Sequence, residues 1–144
     1  MKMTVDASVW VASQIAADVH HAEADRCLEM CLATGARLFV PEIVLLEVAA
    51  GVARLARDAG AGQVAARKLE HFPGIHFHPL DRRRLEKTLL LATRNFLRAA
   101  DALYLATARE AKATLITLDE EMLQRGAAVT TVLTPASWLK QVAG

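Results

Sequence analysis

The chain has 144 residues, of which 53% are hydrophobic and 23% are charged, and its formal net charge at pH 7 is +1. This composition excludes intrinsic disorder and is typical of a single globular domain over residues 1–144. Two cysteines are too few for a disulfide scaffold. No charge-free apolar stretch approaches the roughly 20 residues that a membrane span needs. We therefore expect a cytoplasmic protein that does not interact with membranes.

The spacing of apolar residues predicts short strands alternating with longer helices. The five predicted strands lie at 3–6, 37–40, 75–80, 114–118 and 129–133. Between the first two strands we predict a helix capped by Ser8 and a helix stopped by Gly35, and helices at 41–58 and 63–72 follow the second strand. After the third strand we predict a helix capped by Asp81 and lined by Leu85, Leu89, Ala92 and Phe96, then helices at 98–112 and 119–125 and a last helix opened by Thr134. This alternation predicts a three-layer α/β domain with a five-stranded parallel sheet.

Four carboxylates interrupt stretches that are otherwise apolar, at Asp6, Glu47, Asp101 and Asp119. Asp6 and Asp119 each end a predicted strand, whereas Glu47 and Asp101 lie within predicted helices that are apolar almost all round. A buried carboxylate is unfavourable unless it is paired, protonated or bound to a cation. Each aspartate alone could be explained as a helix cap, a dipole partner or a turn residue. The four together favour a functional site.

The topology of a doubly wound sheet would bring these carboxylates to one place. If the strand order is 3-2-1-4-5, the first and fourth strands are neighbours, and ligands of such sheets bind at that switch point. Asp6 and Asp119 would end these two strands, and the helices carrying Glu47 and Asp101 begin at the same edge. No lysine lies in these stretches to neutralise the charge. A hard divalent cation, Mg²⁺ or Mn²⁺, is therefore the expected counter-charge.

The residues around these acids resemble the PIN domain, and especially the VapC-type ribonuclease toxins of prokaryotic toxin–antitoxin pairs. The resemblance rests on four segments, which are Val5-Asp6-Ala7-Ser8, the stretch from Pro41 to Val48, the stretch from Leu97 to Ala106, and the stretch from Leu115 to Asp119. It assigns the family's four acidic positions to Asp6, Glu47, Asp101 and Asp119, and the accompanying hydroxyl residues to Ser8 and Thr117. Many members carry a further aspartate three residues after the last acid, where this chain has Met122.

This resemblance implies an Mg²⁺- or Mn²⁺-dependent endoribonuclease that leaves 5′-phosphate and 3′-hydroxyl ends. Asp6, Asp101 and Asp119 would bind the metal directly or through water. Glu47 would be a ligand through water or would orient the attacking water. It also implies a homodimer and a small antitoxin protein that occludes the site. We expect Arg98 and Arg94 to contact RNA phosphates.

Several alternatives remain open from the sequence. The chain could be a PIN-like nuclease that processes RNA without being a toxin, or a PIN-like binding partner without catalysis. A phospho-acceptor signalling domain is disfavoured, because it needs paired acids after the first strand, where this chain has Asp6 alone. Cys27 and Cys31 have a spacing that could serve zinc, but their apolar helix face predicts core thiols. His76 and His78 alternate along a strand and are more consistent with a surface pair than with a metal site.

Overall fold

The computed structural model describes residues 1–144. Its five strands are β1 (Lys2–Val5), β2 (Arg37–Pro41), β3 (Ile75–His78), β4 (Thr114–Ile116) and β5 (Val132–Leu133). Its helices are α1 (Ala7–Gln14), α2 (His21–Thr34), α3 (Ile43–Ala56), α4 (Ala59–Glu70), α5 (Arg82–Asn95), α6 (Ala99–Ala111), α7 (Glu120–Gly126) and α8 (Pro135–Ala143). None of these helices combines the length and apolar character needed to cross a bilayer.

The strands form one parallel sheet in the order β3-β2-β1-β4-β5, which confirms the predicted fold class and strand order. Val5 at the end of β1 is in register with Ile116 at the end of β4. The backbone N–H of Asp6 donates to the carbonyl of Ile116 at 2.9 Å and extends this pairing by one residue. The segments that follow β1 and β4 therefore leave the sheet side by side at its carboxyl edge.

The central strands are buried, and helices cover the sheet around them. Val5 and Leu115 are fully buried. Trp10 is also buried, and its indole N–H donates to the carbonyl of Val5 at 3.0 Å, which locks α1 against β1. Cys27 and Cys31 are free thiols in the core, as predicted.

Helices α3 and α4 approach each other so closely that only glycine fits at position 62. A Cβ atom there would lie 2.4 Å from the carbonyl oxygen of Ala49 and 2.8 Å from the Cβ of Ala53. The α4 helix is capped by Asp58, whose carboxylate accepts from the N–H groups of Gly60 and Ala61. This packing fixes α3, the helix that carries Glu47.

Several predicted boundaries differ from the structure. Helix α1 begins at Ala7 with Asp6 as its N-terminal flanking residue, so Ser8 is inside the helix and is not its cap. Pro41 is the last residue of β2 and does not open α3. Helix α4 begins at Ala59, four residues before the predicted start, because Asp58 supplies a cap that the apolar spacing did not reveal. Gly35 ends α2 in the left-handed conformation, as expected of a helix stop.

The prediction that α5 is lined by Leu85, Leu89, Ala92 and Phe96 is wrong as a description of its buried face. Leu85 is 42% exposed, Leu89 is 56% exposed and Phe96 is 78% exposed. The buried residues of α5 are Thr88 and Leu91. Asp81 does cap the helix, since its carboxylate accepts from the N–H of Arg84 at 2.8 Å. The helix therefore leaves much of its apolar stripe in solvent.

Candidate active site

Asp6 is a buried carboxylate at the end of β1, with 7% of the residue exposed. Its Oδ2 atom accepts two hydrogen bonds from hydroxyl groups, at 2.7 Å from Ser8 Oγ and at 2.9 Å from Thr117 Oγ1. Ser8 lies in the first turn of α1, and Thr117 directly follows β4. The sequence assigned both residues to support the acids, and the structure places both in contact with Asp6.

The same two hydroxyls also accept hydrogen bonds from the loop after β4. The N–H of Leu118 donates to Ser8 Oγ at 3.1 Å, and the N–H of Asp119 donates to Thr117 Oγ1 at 3.0 Å. Each hydroxyl thus accepts one hydrogen bond from a backbone N–H and donates its own proton to Asp6. This arrangement holds the β4–α7 loop against the carboxylate of Asp6 and sets the position of Asp119.

Asp119 and Asp101 approach the site from two helix starts. Asp119 precedes α7, and its Oδ1 atom accepts from the N–H of Met122 at 3.1 Å. Asp101 lies in the first turn of α6 and is 9% exposed. Both placements follow from local capping and dipole chemistry, because an acid at a helix N-terminus is stabilised by free N–H groups. Whether these two carboxylates can also bind a metal ion depends on the side chain that lies between them.

Arg98 lies between these two carboxylates. Its Nε donates to Asp101 Oδ2 at 2.9 Å, and its Nη2 donates to Asp119 Oδ2 at 2.7 Å. Nη2 is also 3.6 Å from Glu121 Oε2. These acids raise the pKa of Arg98, so the side chain remains a cation. Arg94, the other predicted RNA-binding residue, is exposed and forms no ion pair with these acids.

Glu47 reaches the site from α3 and is half-buried. The sequence suggested an acid enclosed by an apolar helix, but α3 is a surface helix on one side, since Leu46 next to it is 68% exposed. Glu47 Oε1 accepts a hydrogen bond of 2.7 Å from the hydroxyl of Tyr104 on α6. Tyr104 was not among the site residues predicted from the sequence. A tyrosine inside an apolar helix is the available signal, because its buried hydroxyl requires a polar partner.

The electrostatics of the site reflect burial and mutual repulsion. Burial raises the pKa of Asp6, and the nearby charge of Glu47 adds to this, although the hydroxyls of Ser8 and Thr117 oppose it. Burial also raises the pKa of Asp101. The hydrogen bond and charge of Arg98 oppose this shift, and the charges of Asp119 and Asp6 add to it. All four acids therefore lie within electrostatic range of a neighbour in the set. A cation would relieve this repulsion.

The structure does not, however, arrange the acids as a ready-made metal cage. No three His, Cys, Asp or Glu side chains have a spacing that could hold a metal ion. Two of the four acids instead direct an oxygen at a single cation, the guanidinium of Arg98. A divalent ion would find hard oxygen donors here, which is the donor chemistry that Mg²⁺ and Mn²⁺ prefer. The donor set fits such an ion, provided that Arg98 moves.

Sequence comparison agrees with the order of these motifs along the chain. A family model described as the PIN domain matches residues 3–128. The chain belongs to the PIN domain family. The matched range includes all four acids of this PIN domain as well as Ser8 and Thr117. None of the curated proteins matches the chain in sequence.

Solved structures share the fold of this PIN domain. Mycobacterium tuberculosis VapC20, described as a sarcin-ricin loop cleaving toxin, is 21% identical with a TM-score of 0.73, over 92% of this chain and 99% of its own. VapBC2 from Rickettsia felis, bound to a promoter DNA fragment, is 16% identical with a TM-score of 0.70, over 93% of this chain and 98% of its own. FitAcB from Neisseria gonorrhoeae is 19% identical with a TM-score of 0.66, over 93% of this chain and 98% of its own. At these identities the similarity establishes the fold.

Proposed function

We propose that this PIN domain is a metal-dependent endoribonuclease that hydrolyses RNA phosphodiester bonds, and that it is the toxin of a VapBC-type pair. The observation that carries the proposal is the burial of the Asp6 carboxylate among other acids. A buried carboxylate with a raised pKa, next to other acids, is unfavourable for folding and is typical of functional sites. Its position at the carboxyl end of β1, beside β4, is the switch point at which open α/β sheets bind ligands.

Each acid has a role in this proposal. Asp6, Asp101 and Asp119 would hold the Mg²⁺ or Mn²⁺ ion directly or through water. Glu47 binds through water or orients the attacking water, and Tyr104 keeps its carboxylate in place. When bound, the ion would supply Lewis-acid chemistry for activating water and stabilising charge on the phosphate. Ser8 and Thr117 position Asp6, and we expect products with 5′-phosphate and 3′-hydroxyl ends.

RNA binding in this proposal depends on cations at the rim of the site. Arg98 is the nearer one, since its side chain contacts two of the acids and is still 59% exposed. Arg94 lies in the last turn of α5 and is exposed. Contacts of this kind go to phosphates and provide affinity that falls with salt concentration.

A small antitoxin and a second copy of the chain are the proposed protein partners, in the cytoplasm. The similarity of fold to chains of VapBC2 and FitAcB supports an antitoxin. Apolar side chains exposed on α3 and α5 support self-association. They are Leu46, Leu55, Leu85, Leu89 and Leu90. Analytical ultracentrifugation of the purified chain should show a dimer, and a short reading frame should adjoin this gene upstream.

One observation favours a second candidate, a PIN-like binding partner without catalysis. Arg98 already neutralises Asp101 and Asp119, and no metal-binding group of three side chains is preformed. The two candidates differ in whether a divalent ion can enter.

Cleavage of a structured RNA by the purified chain decides between them. We expect cleavage with Mg²⁺ or Mn²⁺, none with EDTA, and loss of cleavage in Asp101→Asn. Glu120→Gln is the matched control, because it removes an exposed acid in the first turn of α7 and should retain activity. Circular dichroism should confirm that both variants are folded. Cleavage that survives both EDTA and Asp101→Asn would contradict the proposal of a metal-dependent nuclease. If the chain cleaves RNA but is not toxic when it is expressed, an RNA-processing role replaces the toxin role.

A further inference from the structure

The contact between Arg98 and the acids spans two separate segments of the chain. Arg98 directly precedes α6 with an extended backbone (φ −67°, ψ 153°), three residues before Asp101. From there its side chain lies over the first turn of its own helix and also reaches Asp119 at the start of α7. A planar guanidinium can donate to two carboxylates at once, which an ammonium does less well. The two ion pairs of 2.9 Å and 2.7 Å use this geometry.

These ion pairs use the same oxygen atoms that a metal would require. Arg98 is bonded to Asp101 Oδ2 and Asp119 Oδ2. The other oxygen of Asp119 already accepts from the N–H of Met122. A divalent ion held by Asp101 and Asp119 would therefore compete with the guanidinium for these oxygens. If both cations shared the oxygens, their like charges would repel each other strongly.

The structure also offers a place for the displaced side chain. Glu121 Oε2 is 3.6 Å from Arg98 Nη2, and Glu121 Oε1 is 3.4 Å from Arg125 Nε. Because the Arg98 side chain is 59% exposed, it can turn toward Glu121 and solvent without disturbing the core. Moving the guanidinium leaves it charged and still partnered.

We propose that Arg98 is an internal competitor of the divalent ion, which holds Asp101 and Asp119 together until the ion displaces it toward Glu121. This inference rests on the proposed function, because it requires that the acids bind a metal. It makes Arg98 a positioning residue: it keeps two acids of like charge near each other in the metal-free protein and weakens the apparent affinity for the ion.

Calorimetric titration of the RNA-free protein with Mn²⁺ tests the proposal. Exposed ion pairs each contribute a factor of roughly 1.4 to 5 in an equilibrium constant, so Arg98→Ala should bind Mn²⁺ about threefold to tenfold more tightly than the wild type. Arg98→Lys, which keeps the charge but loses the planar fork, should fall between them. Arg125→Ala is the matched control, because it removes an equal charge that pairs with Glu121 and not with Asp101 or Asp119. Its affinity should stay within about twofold.

A second measurement follows the side chain itself. The Nε–Hε resonance of Arg98, assigned by its loss in Arg98→Lys, should shift on addition of Mg²⁺ with the midpoint of metal binding. The corresponding resonance of Arg125 should shift much less. The melting temperature of Arg98→Ala without metal verifies that this variant is folded. The resonance experiment in the wild type does not depend on that variant.

The outcomes separate this inference from the proposed function. If wild type and Arg98→Ala bind Mn²⁺ equally, or if Arg125→Ala tightens binding as much as Arg98→Ala, direct competition is overturned while metal binding stands. A resonance of Arg98 that does not respond to saturating Mg²⁺ overturns it as well. If neither the wild type nor Arg98→Ala binds Mn²⁺, the proposed function fails first.

Discussion

The hydroxyl of Tyr104 donates a 2.7 Å hydrogen bond to Oε1 of Glu47, and so joins α6 to α3. Tyr104 is 1% exposed, and burial raises its pKa, with further contributions from the charges of Asp6 and Glu47. The phenol therefore remains protonated and acts only as a donor to Glu47. The hydrogen bond thereby fixes the position of a carboxylate on a surface helix, and the charge of this carboxylate helps to raise the pKa of the buried Asp6.

Tyr104→Phe should slow RNA cleavage while leaving the fold intact. A hydrogen bond to a charged group contributes about 1.5 kcal/mol, which corresponds to about a tenfold loss in kcat if the whole contribution serves to orient Glu47. Cleavage kinetics at saturating Mg²⁺ provide the measurement. In a Glu47→Gln background the same change should have a smaller effect, and equal effects in both backgrounds would show that the two residues act independently.

Thr117→Val should destabilise the protein strongly. It removes the donor to Asp6 and leaves the N–H of Asp119 without its partner at 3.0 Å. An unsatisfied buried polar group costs about 1–3 kcal/mol, which lowers the melting temperature by about 2–12 °C in a chain of this size. Thr117→Ser keeps the hydroxyl and is the control, so its melting temperature should stay well above that of Thr117→Val.

Asp6→Asn should abolish cleavage and raise stability at neutral pH. Because burial raises the pKa of Asp6 above its unfolded value of 3.8, the unfolded chain releases this proton first as the pH rises. The stability that protonated Asp6 contributes is then lost as the pH rises through the folded pKa. The neutral amide of Asp6→Asn does not titrate, so the variant does not lose this stability as the pH rises. The amide oxygen can still accept hydrogen bonds from Ser8 and Thr117.

The measurement is thermal unfolding of wild type and Asp6→Asn in EDTA. We expect the variant to have a higher melting temperature than the wild type at pH 7.5, and a smaller difference at pH 4.5. A variant that melts below the wild type at pH 7.5 would show that the carboxylate stabilises the fold.

His78 should make stability depend on pH in the opposite direction. Its Nδ1 atom is 3.1 Å from Glu110 Oε2, and Arg84 Nε donates to the same oxygen at 3.1 Å. Burial lowers the pKa of His78, and the charge of Arg84 lowers it further. As the pH falls, the unfolded chain therefore takes up this proton before the folded protein does, and stability falls with it.

Urea unfolding of wild type and His78→Gln at pH 7.5, 6.5 and 5.5 tests this expectation. The wild type should lose stability relative to the variant as the pH decreases through the unfolded pKa near 6.5. Parallel pH dependences of the two proteins would show that His78 is protonated equally in both states.

Patterns in the sequence predicted the sheet well because they reflect local chemistry. Alternating strands and helices predicted the parallel sheet, and the observed strand order is the one expected of a doubly wound sheet. Caps such as Asp81 and Thr134 were also predictable, because each bonds an N–H within three residues. Burial of α5 was not predictable in the same way. Its leucine spacing indicates an apolar face, but spacing does not tell whether that face meets the core or solvent, and Leu89 is 56% exposed.

The amino-acid sequence determined where the four acids stand along the chain, and the parallel topology followed from it, so their meeting at one sheet edge could be predicted. Only the tertiary structure decided which atoms meet there. The register of Val5 with Ile116 brings Thr117 onto Asp6, and the fold places Asp119 within reach of Arg98. These contacts join residues more than 20 positions apart, and hydrogen bonds depend on distances and angles that periodicity does not contain.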